Sequence, residues 1–438
     1  MPISKSGTSG PSQPTEAQRE NSPQNRDRDS NGDRFEDDPE ARAKFERLKR
    51  DPVGAADLPM ERYQVALDHM AKMRRYSTSL NRFFPSKQEA GQLTPEALGT
   101  WTGLGPGNIG GRTRAIVIDP TNPNTMYAAA VTGGVWKSIN GGASWFPTGD
   151  LTANLNVCAL AMDPANPNIL YAGTGEVYAS WSGNGVFKTT DGGASWAQLA
   201  TTAFTANNSN FIYVSDIVVS PSNSQRVYAA TGTGVWRSID GGANWTQVLN
   251  PNISNQFRGA CTDLAIRTDT TGKASDYIFA ACGIYDQATV YRNTNANGGG
   301  TWEAVLTQAN MNRTSLAIAP SNQNIAYALS ADAISDFSGL PHALFRSTTG
   351  GGPGSWTARV RTTDPIANCF GSQSRYNNAI AVDPVNENRV WTGFQTLSRS
   401  DDGGRLGVRG LWVLTTVTSI PTSTPSSFIR SMTELITK

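Results

Sequence analysis

Three features of the sequence predict an all-β protein: a β-propeller of about six to seven four-stranded blades, preceded by a disordered tail and a helical neck. A box of two glycines closed by a tryptophan recurs along the chain, and the same short β-type runs surround each copy in the same order. The composition agrees. Charged residues make up 17% of the 438 positions against a usual value of about 25%, and glycine, at 43 residues, exceeds its usual share of about 7%, as expected of a turn-rich β protein.

The box is plainest in SINGGASW (138–145), TTDGGASW (189–196) and SIDGGANW (238–245). Looser copies follow as NTNANGGGTW (293–302) and STTGGGPGSW (347–356), and a sixth begins as SDDGGR (400–405). The closing residues Trp145, Trp196, Trp245, Trp302 and Trp356 lie 51, 49, 57 and 54 residues apart, a period that suits one blade. Asn140, Asp191 and Asp240 are placed to bond amides of their own turns, the glycines allow positive φ, and the indole pins the turn to the blade. The box is therefore read as a packing device, and Trp196→Ala is expected to cost roughly 3–5 kcal/mol.

Each box follows a strand in which a base comes after an apolar or aromatic run, as in GVWKS (134–138), GVFKT (185–189) and GVWRS (234–238). Earlier in each unit comes a run ending at a Pro/Asn turn, such as AIVIDPTNPN (115–124) or ALAMDPANPN (159–168), and then a second strand such as MYAAAV (126–131) or VYAATG (227–232). A fourth strand follows the tryptophan, as in TQVLN (246–250). One such sheet cannot cover both of its own faces, so the units stack around an axis. The base at Lys137, Lys188, Arg237, Arg292, Arg346 and Arg399 recurs in every unit, which argues for a structural role.

The sequence divides into a disordered tail (1–34), a helical neck and linker (35–94), the repeat body (95–405) and an aberrant C-terminal segment (406–438). From Met1 to Arg34 the only aliphatic or aromatic residues beyond alanine are Met1 and Ile3, too few to offset chain entropy. Pro39 to Arg50 reads as a short charged helix. A second helix opens with an N-cap at Asp57 and carries Met60, Tyr63, Leu67, Met70 and Met73 on one face; Ser79 to Thr94 reads as linker. The box pattern fails after Arg405, which suggests a truncated chain or a change of reading frame there and puts closure of the ring in question.

The formal net charge of +1 gives no reason to expect nucleic acid as a partner. No apolar run is long enough for a transmembrane helix, and the N-terminus lacks the apolar stretch of a secretory signal, so the chain as written is expected to stay in the cytoplasm. Cys158, Cys261, Cys282 and Cys369 form no CxxC pair and the chain has two histidines, so neither a metal nor another cofactor is expected. Cys261 and Cys282 flank two strand-like runs that a hairpin would bring together; the expected state is two buried free thiols.

The boxes resemble the Asp-box, or bacterial neuraminidase (BNR-like), repeats of sialidases, xyloglucanase-type glycoside hydrolases, sortilin ectodomains and photosystem II assembly factors, over Trp101 to Arg405. The resemblance implies a propeller and is shared by enzymes and non-enzymes. The Phe/Tyr-Arg-Ile-Pro motif of sialidases is absent. Xyloglucanase-type members carry a catalytic aspartate in a Thr-Asp-Val-Gly-Gly segment, where this chain has Val131-Thr132-Gly133-Gly134 and no acid. The reading is then a non-enzymatic propeller presenting a loop-lined face to a protein or glycan, of unknown oligomeric state. The alternative is a glycoside hydrolase using Glu176 with Asp216 or Asp263. Candidate ligand contacts are Arg112 and Arg114, where the first inner strand begins, and Tyr178 and Trp181, in the same loop as Glu176.

Overall fold

A computed structural model of the chain describes residues 112–148 and most of 152–404. It also describes the segments Arg75–Ser77, Arg82–Phe84 and Leu411–Leu414, and the single positions Val65, His69 and Lys72. The expected tail (1–34), the charged helix (Pro39 to Arg50), and Asp57 with the apolar face from Met60 to Met73 lie outside the described residues. Val65, His69 and Lys72, within the expected neck helix, are helical. Strands β1 (Arg75–Ser77) and β2 (Arg82–Phe84) pair antiparallel, so part of the expected linker is extended.

The remaining strands form six four-stranded antiparallel sheets, the blades of a propeller. Blade 1 holds β3 (Thr113–Ile118), β4 (Met126–Ala130), β5 (Gly134–Ser138) and β6 (Phe146–Pro147). Blade 2 holds β7 (Val157–Asp163), β8 (Asn166–Thr174), β9 (Val186–Thr189) and β10 (Ala197–Gln198). Blade 3 holds β11 (Val214–Ser220), β12 (Asn223–Thr231), β13 (Gly234–Ser238) and β14 (Thr246–Leu249). Blade 4 holds β15 (Cys261–Ile266), β16 (Ile278–Cys282), β17 (Thr289–Asn293) and β18 (Glu303–Thr307). Blade 5 holds β19 (Met311–Ile318), β20 (Ala326–Asp332), β21 (Pro341–Ser347) and β22 (Thr357–Arg361). Blade 6 holds β23 (Ala379–Val382), β24 (Val390–Gly393), β25 (Leu397–Ser400) and β26 (Leu411–Leu414). Although the box pattern breaks after Arg405, β26 pairs with β25 and completes the sixth sheet.

The core lies between blades. Tyr127, Val135, Leu160, Leu170 and Phe187 form one layer between blades 1 and 2. Tyr171, Ile217, Val219 and Val227 form the next, and equivalent layers separate each later pair as far as blade 6. Central strands such as β12 are buried on both faces from Arg226 onward, because each blade supplies the cover its neighbour lacks.

The boxes do what their residue types predict, with one addition. In the second box Asp191 Oδ1 accepts from Ser195 N (2.9 Å) and Thr189 Oγ1 (2.6 Å). Together with the Ser195 hydroxyl these bonds hold the Asp191 carboxyl down at about 2. Asp240 repeats the arrangement, and Asn140 does so with its amide oxygen. Gly241 and Gly242 lie at φ +69° and +98°, and a Cβ on Gly242 would stand 2.5 Å from Leu199 Cδ1, so glycine is required there. Trp196, Trp245, Trp302 and Trp356 each join the layer shared with the preceding blade but are only half-buried.

The addition is a clasp from the preceding blade. Tyr127 Oη and Lys137 Nζ both donate to Gly192 O at 2.8 Å. Tyr171 and Lys188 donate to Gly241 O at 3.1 and 2.9 Å, and Tyr228 and Arg237 to Ala296 O at 3.2 and 2.5 Å. Tyr277 and Arg292 hold Gly350 O, and Arg359 holds Gly403 O. The clasp accounts for the bases Lys137, Lys188, Arg237 and Arg292 and the tyrosines of blades 1 to 4; in blade 5 Tyr327 donates to Glu387 O and Arg346 to Asn388 Oδ1, and in blade 6 Arg399 pairs with Asp401.

One expectation is overturned. Cys261 and Cys282 are bonded as a disulfide, not free thiols. They are directly opposed on β15 and β16, so the hairpin that would bring them near does so. Cys158 is free and buried.

Candidate functional site

At one end of the propeller, where inner strands begin and the loops from second to third strands return, the candidate residues of blades 1 and 2 meet others from blades 5 and 6. Arg112 and Arg114 lie at the start of the first inner strand, Glu176 and Tyr178 in the loop from β8 to β9, Arg313 on β19, and Tyr376 just before β23.

Glu176 is the hub. Its side chain is 0% exposed, and the loop that carries it is closed by paired backbone bonds between Glu176 and Trp181 at 2.8 and 2.9 Å. Its Oε2 accepts from Arg112 Nη1 at 3.2 Å. Its Oε1 accepts from Arg114 Nε at 3.0 Å and from Tyr376 Oη at 3.2 Å, with Arg114 Nη2 2.9 Å away. Arg114 Nη1 donates to Tyr376 O at 3.0 Å, and Arg112 donates to Tyr376 Oη, so blades 1, 2 and 6 are tied at this point. Val177, Phe204, Ile212, Tyr213 and Ile284, with Tyr178 against them, form a packed floor of loops under the hub.

The tyrosines face guanidinium groups. Tyr178 is held between Arg114, 4.3 Å from its ring centroid, and Arg313, 4.1 Å from it, while Arg114 also lies 4.5 Å from the Tyr376 ring. Arg313 donates to the carbonyls of Arg375 (3.0 Å), Tyr376 (2.5 Å) and Asn378 (3.1 Å). Burial opposes the charge of both inner arginines. The Glu176 carboxylate more than restores it for Arg114, whose pKa is raised, whereas Arg313 is lowered. Burial also raises the hydroxyls of Tyr178 and Tyr376 and pushes the Cys158 thiol up to about 12, leaving it inert.

Asp216 and Asp263, half-buried on the inner strands of blades 3 and 4, act as inter-blade ties. Asp216 Oδ2 accepts from Leu264 N of blade 4 at 2.9 Å and its Oδ1 from Ile217 N at 2.8 Å. Asp263 Oδ2 accepts from Leu316 N of blade 5 at 2.7 Å, and Ser315 at the equivalent place in blade 5 donates to Asn378 O of blade 6 at 3.2 Å. The two carboxyls are near enough for each to act on the other's ionisation. Burial, and for Asp216 also the neighbouring Asp263 charge, raises both; Asp263 reaches about 6.

The structure thus brings Arg112, Arg114, Glu176 and Tyr178 into one cluster, with Trp181 on the backbone bridge of the same loop and Asp216 and Asp263 as a separate pair. Sequence reading missed Arg313, Tyr376 and Asn378. A signal existed: counting back from the turn aspartates Asp119 and Asp383 aligns Tyr376 with Arg112 and Asn378 with Arg114. Among the described residues no group of three or more His, Cys, Asp or Glu side chains is placed to hold a metal ion.

No protein-family model matches the sequence, and no curated protein is similar to it. Solved structures are similar in fold. A GH74 enzyme from Niastella koreensis matches over 69% of this chain and 45% of its own, with 20% identity and a TM-score of 0.52. The GH74 xyloglucanase from Xanthomonas campestris matches over 69% and 54%, with 15% identity and a TM-score of 0.44. YCF48 bound to D1 peptide matches over 71% and 83%, with 16% identity and a TM-score of 0.45. The chain therefore spans less than half the length of the Niastella enzyme, and what the two share is the β-propeller fold.

Proposed function

We propose that this chain is a non-enzymatic binding propeller whose boxes are Asp-box repeats, and that it presents the loop-lined mouth around Arg112 to a protein or glycan partner. The observation that carries this reading is the state of the three candidate acids. Glu176 is fully buried and shared by two guanidiniums and a tyrosine hydroxyl, and Asp216 and Asp263 each accept a backbone amide from the next blade. A general acid or nucleophile needs reach to a substrate atom; Glu176 is shut off from solvent, and Asp216 and Asp263, though only half-buried, each have an oxygen engaged by a backbone amide of the next blade. One observation favours a glycoside hydrolase as the second reading: the raised Asp263, at about 6, has the proton affinity of an acid catalyst.

A panel of neutral and acidic polysaccharides, assayed in parallel for binding and for released reducing ends, separates the two. Binding without release supports the proposal. Release that disappears in Glu176→Gln or Asp263→Asn supports the hydrolase. The buried Cys261–Cys282 disulfide also favours residence in an oxidising compartment over the cytoplasm expected from the N-terminus. Alkylation of cell extracts before reduction tests this: recovery of Cys261 and Cys282 as alkylated peptides would contradict it.

A further inference from the structure

Resting on that binding reading, we propose that Arg112 recognises a carboxylate carried by a peptide partner at the mouth of the propeller. Three guanidiniums, Arg112, Arg114 and Arg313, converge on the rim cluster; among the described residues Glu176 is the carboxylate in ion-pair contact with Arg112 and Arg114, and the Asp263 charge acts on Arg313. Arg114 is spent on Glu176 and Tyr376, and Arg313 on three backbone carbonyls.

Arg112 is different. Its side chain is 44% exposed, and both of its bonds, to Glu176 and to Tyr376, leave from Nη1. Among the described residues its Nε and Nη2 have no protein partner. Those two atoms form the side-on edge of the guanidinium, which matches the two oxygens of a carboxylate. The Nη1 bonds fix the plane of the group, so little rotamer freedom remains to be lost when the edge is engaged.

The same cluster argues for a peptide over a neutral sugar ring. Stacking of such a ring needs an open aromatic face. Here Tyr178 is sandwiched between Arg114 and Arg313, and Tyr376 stands edge-on to Tyr178 at 6.3 Å with Arg114 on its ring. What is offered to the outside is a charge with a bidentate edge.

The test is fluorescence anisotropy with a labelled Glu-rich octapeptide, its Gln-for-Glu analogue, polygalacturonate and a neutral xylan as probes, on the full chain and on Arg112→Gln and Arg112→Lys. The Glu-rich peptide should bind at least about tenfold more tightly than the Gln analogue, and added salt should weaken it. Arg112→Gln should abolish that preference in a chain that is still folded at the assay temperature by its thermal melt, its midpoint lowered by the bond Glu176 loses, while Arg112→Lys keeps part of the preference. Equal binding of the two peptides, a preference that survives Arg112→Gln, or no binding of either peptide overturns the inference. Tight polygalacturonate with weak peptide binding overturns the peptide assignment. Neutral xylan bound without anion preference overturns the inference and leaves the binding reading standing, whereas release of reducing ends removes the reading itself.

Discussion

Glu176→Gln is the perturbation that most sharply probes the hub. The substitution keeps shape and one acceptor oxygen but removes the charge that two guanidiniums share. Breaking a buried ion pair costs about 3–5 kcal/mol, because a charge is left desolvated without its partner. Two adjustments follow from the geometry. Arg112, 44% exposed, relaxes into water and contributes little, whereas Arg114, 13% exposed, keeps only the carbonyl of Tyr376 and the faces of two tyrosines. The retained amide oxygen still accepts one bond. The expected loss is thus about 2–4 kcal/mol, nearly all of it through Arg114. Urea titration followed by tryptophan fluorescence reads the midpoint, and an unchanged slope confines the effect to stability. A cycle with Arg114→Met should show strong coupling, since the second change removes the stranded charge. A loss below about 1 kcal/mol, or additive single effects, would refute the assignment of Glu176 as the tie between blades 1, 2 and 6.

Other expectations follow from the same contacts. Reducing Cys261–Cys282, which are 21 residues apart, should lower stability by about 3 kcal/mol through the freed loop; an unchanged midpoint in dithiothreitol would contradict this. Tyr228→Phe removes a hydroxyl shared by Asp276 (2.9 Å) and Ala296 O (3.2 Å), and a loss of about 1–3 kcal/mol is expected by the same titration. Trp196→Ala should cost about 2–3 kcal/mol, at or below the low end of the value expected for a fully buried indole, because Trp196 is half-buried and its turn is also held by Tyr127 and Lys137. The folded protein holds the Asp263 proton up to about 6, against about 3.9 in an unfolded chain. The folded state therefore binds more protons between these values. The stability this group contributes is complete below about pH 4 and is lost as pH rises through about 6, so Asp263→Asn should flatten the pH dependence of the midpoint in that window.

Much of the architecture was legible because its cause is local and repeated. The run GVWKS coincides with β5, and GVWRS with β13, since an aromatic, a base and a two-glycine turn recur in fixed register. The internal bonds of Asn140, Asp191 and Asp240 were readable for the same reason. What the boxes grip was not, because the clasp joins positions 44 or more residues apart, as Tyr127 and Lys137 are from Gly192. β26 escaped notice because it lacks a box and declares itself only by the short β-type run Leu411–Leu414. The pairing of Cys261 with Cys282 depends on a hairpin register that composition does not fix. At the mouth, Arg112, Arg114, Glu176 and Tyr178 stood out as polar residues in apolar surroundings. Tyr376, 264 residues from its partner Arg112, and Arg313, 135 residues from its partner Tyr178, reach them only because the blades turn about one axis.

The most direct measurement is amide hydrogen exchange at Leu264 and Leu316, resolved by residue, in the wild type and in Asp263→Ala. If the two aspartates hold blades together, both amides are strongly protected in the wild type, and Leu316 alone becomes fast when Asp263 loses its carboxyl. Loop-like exchange of Leu316 in the wild type, or protection unaffected by the substitution, would mean that Asp263 is free for chemistry and that the binding account is wrong.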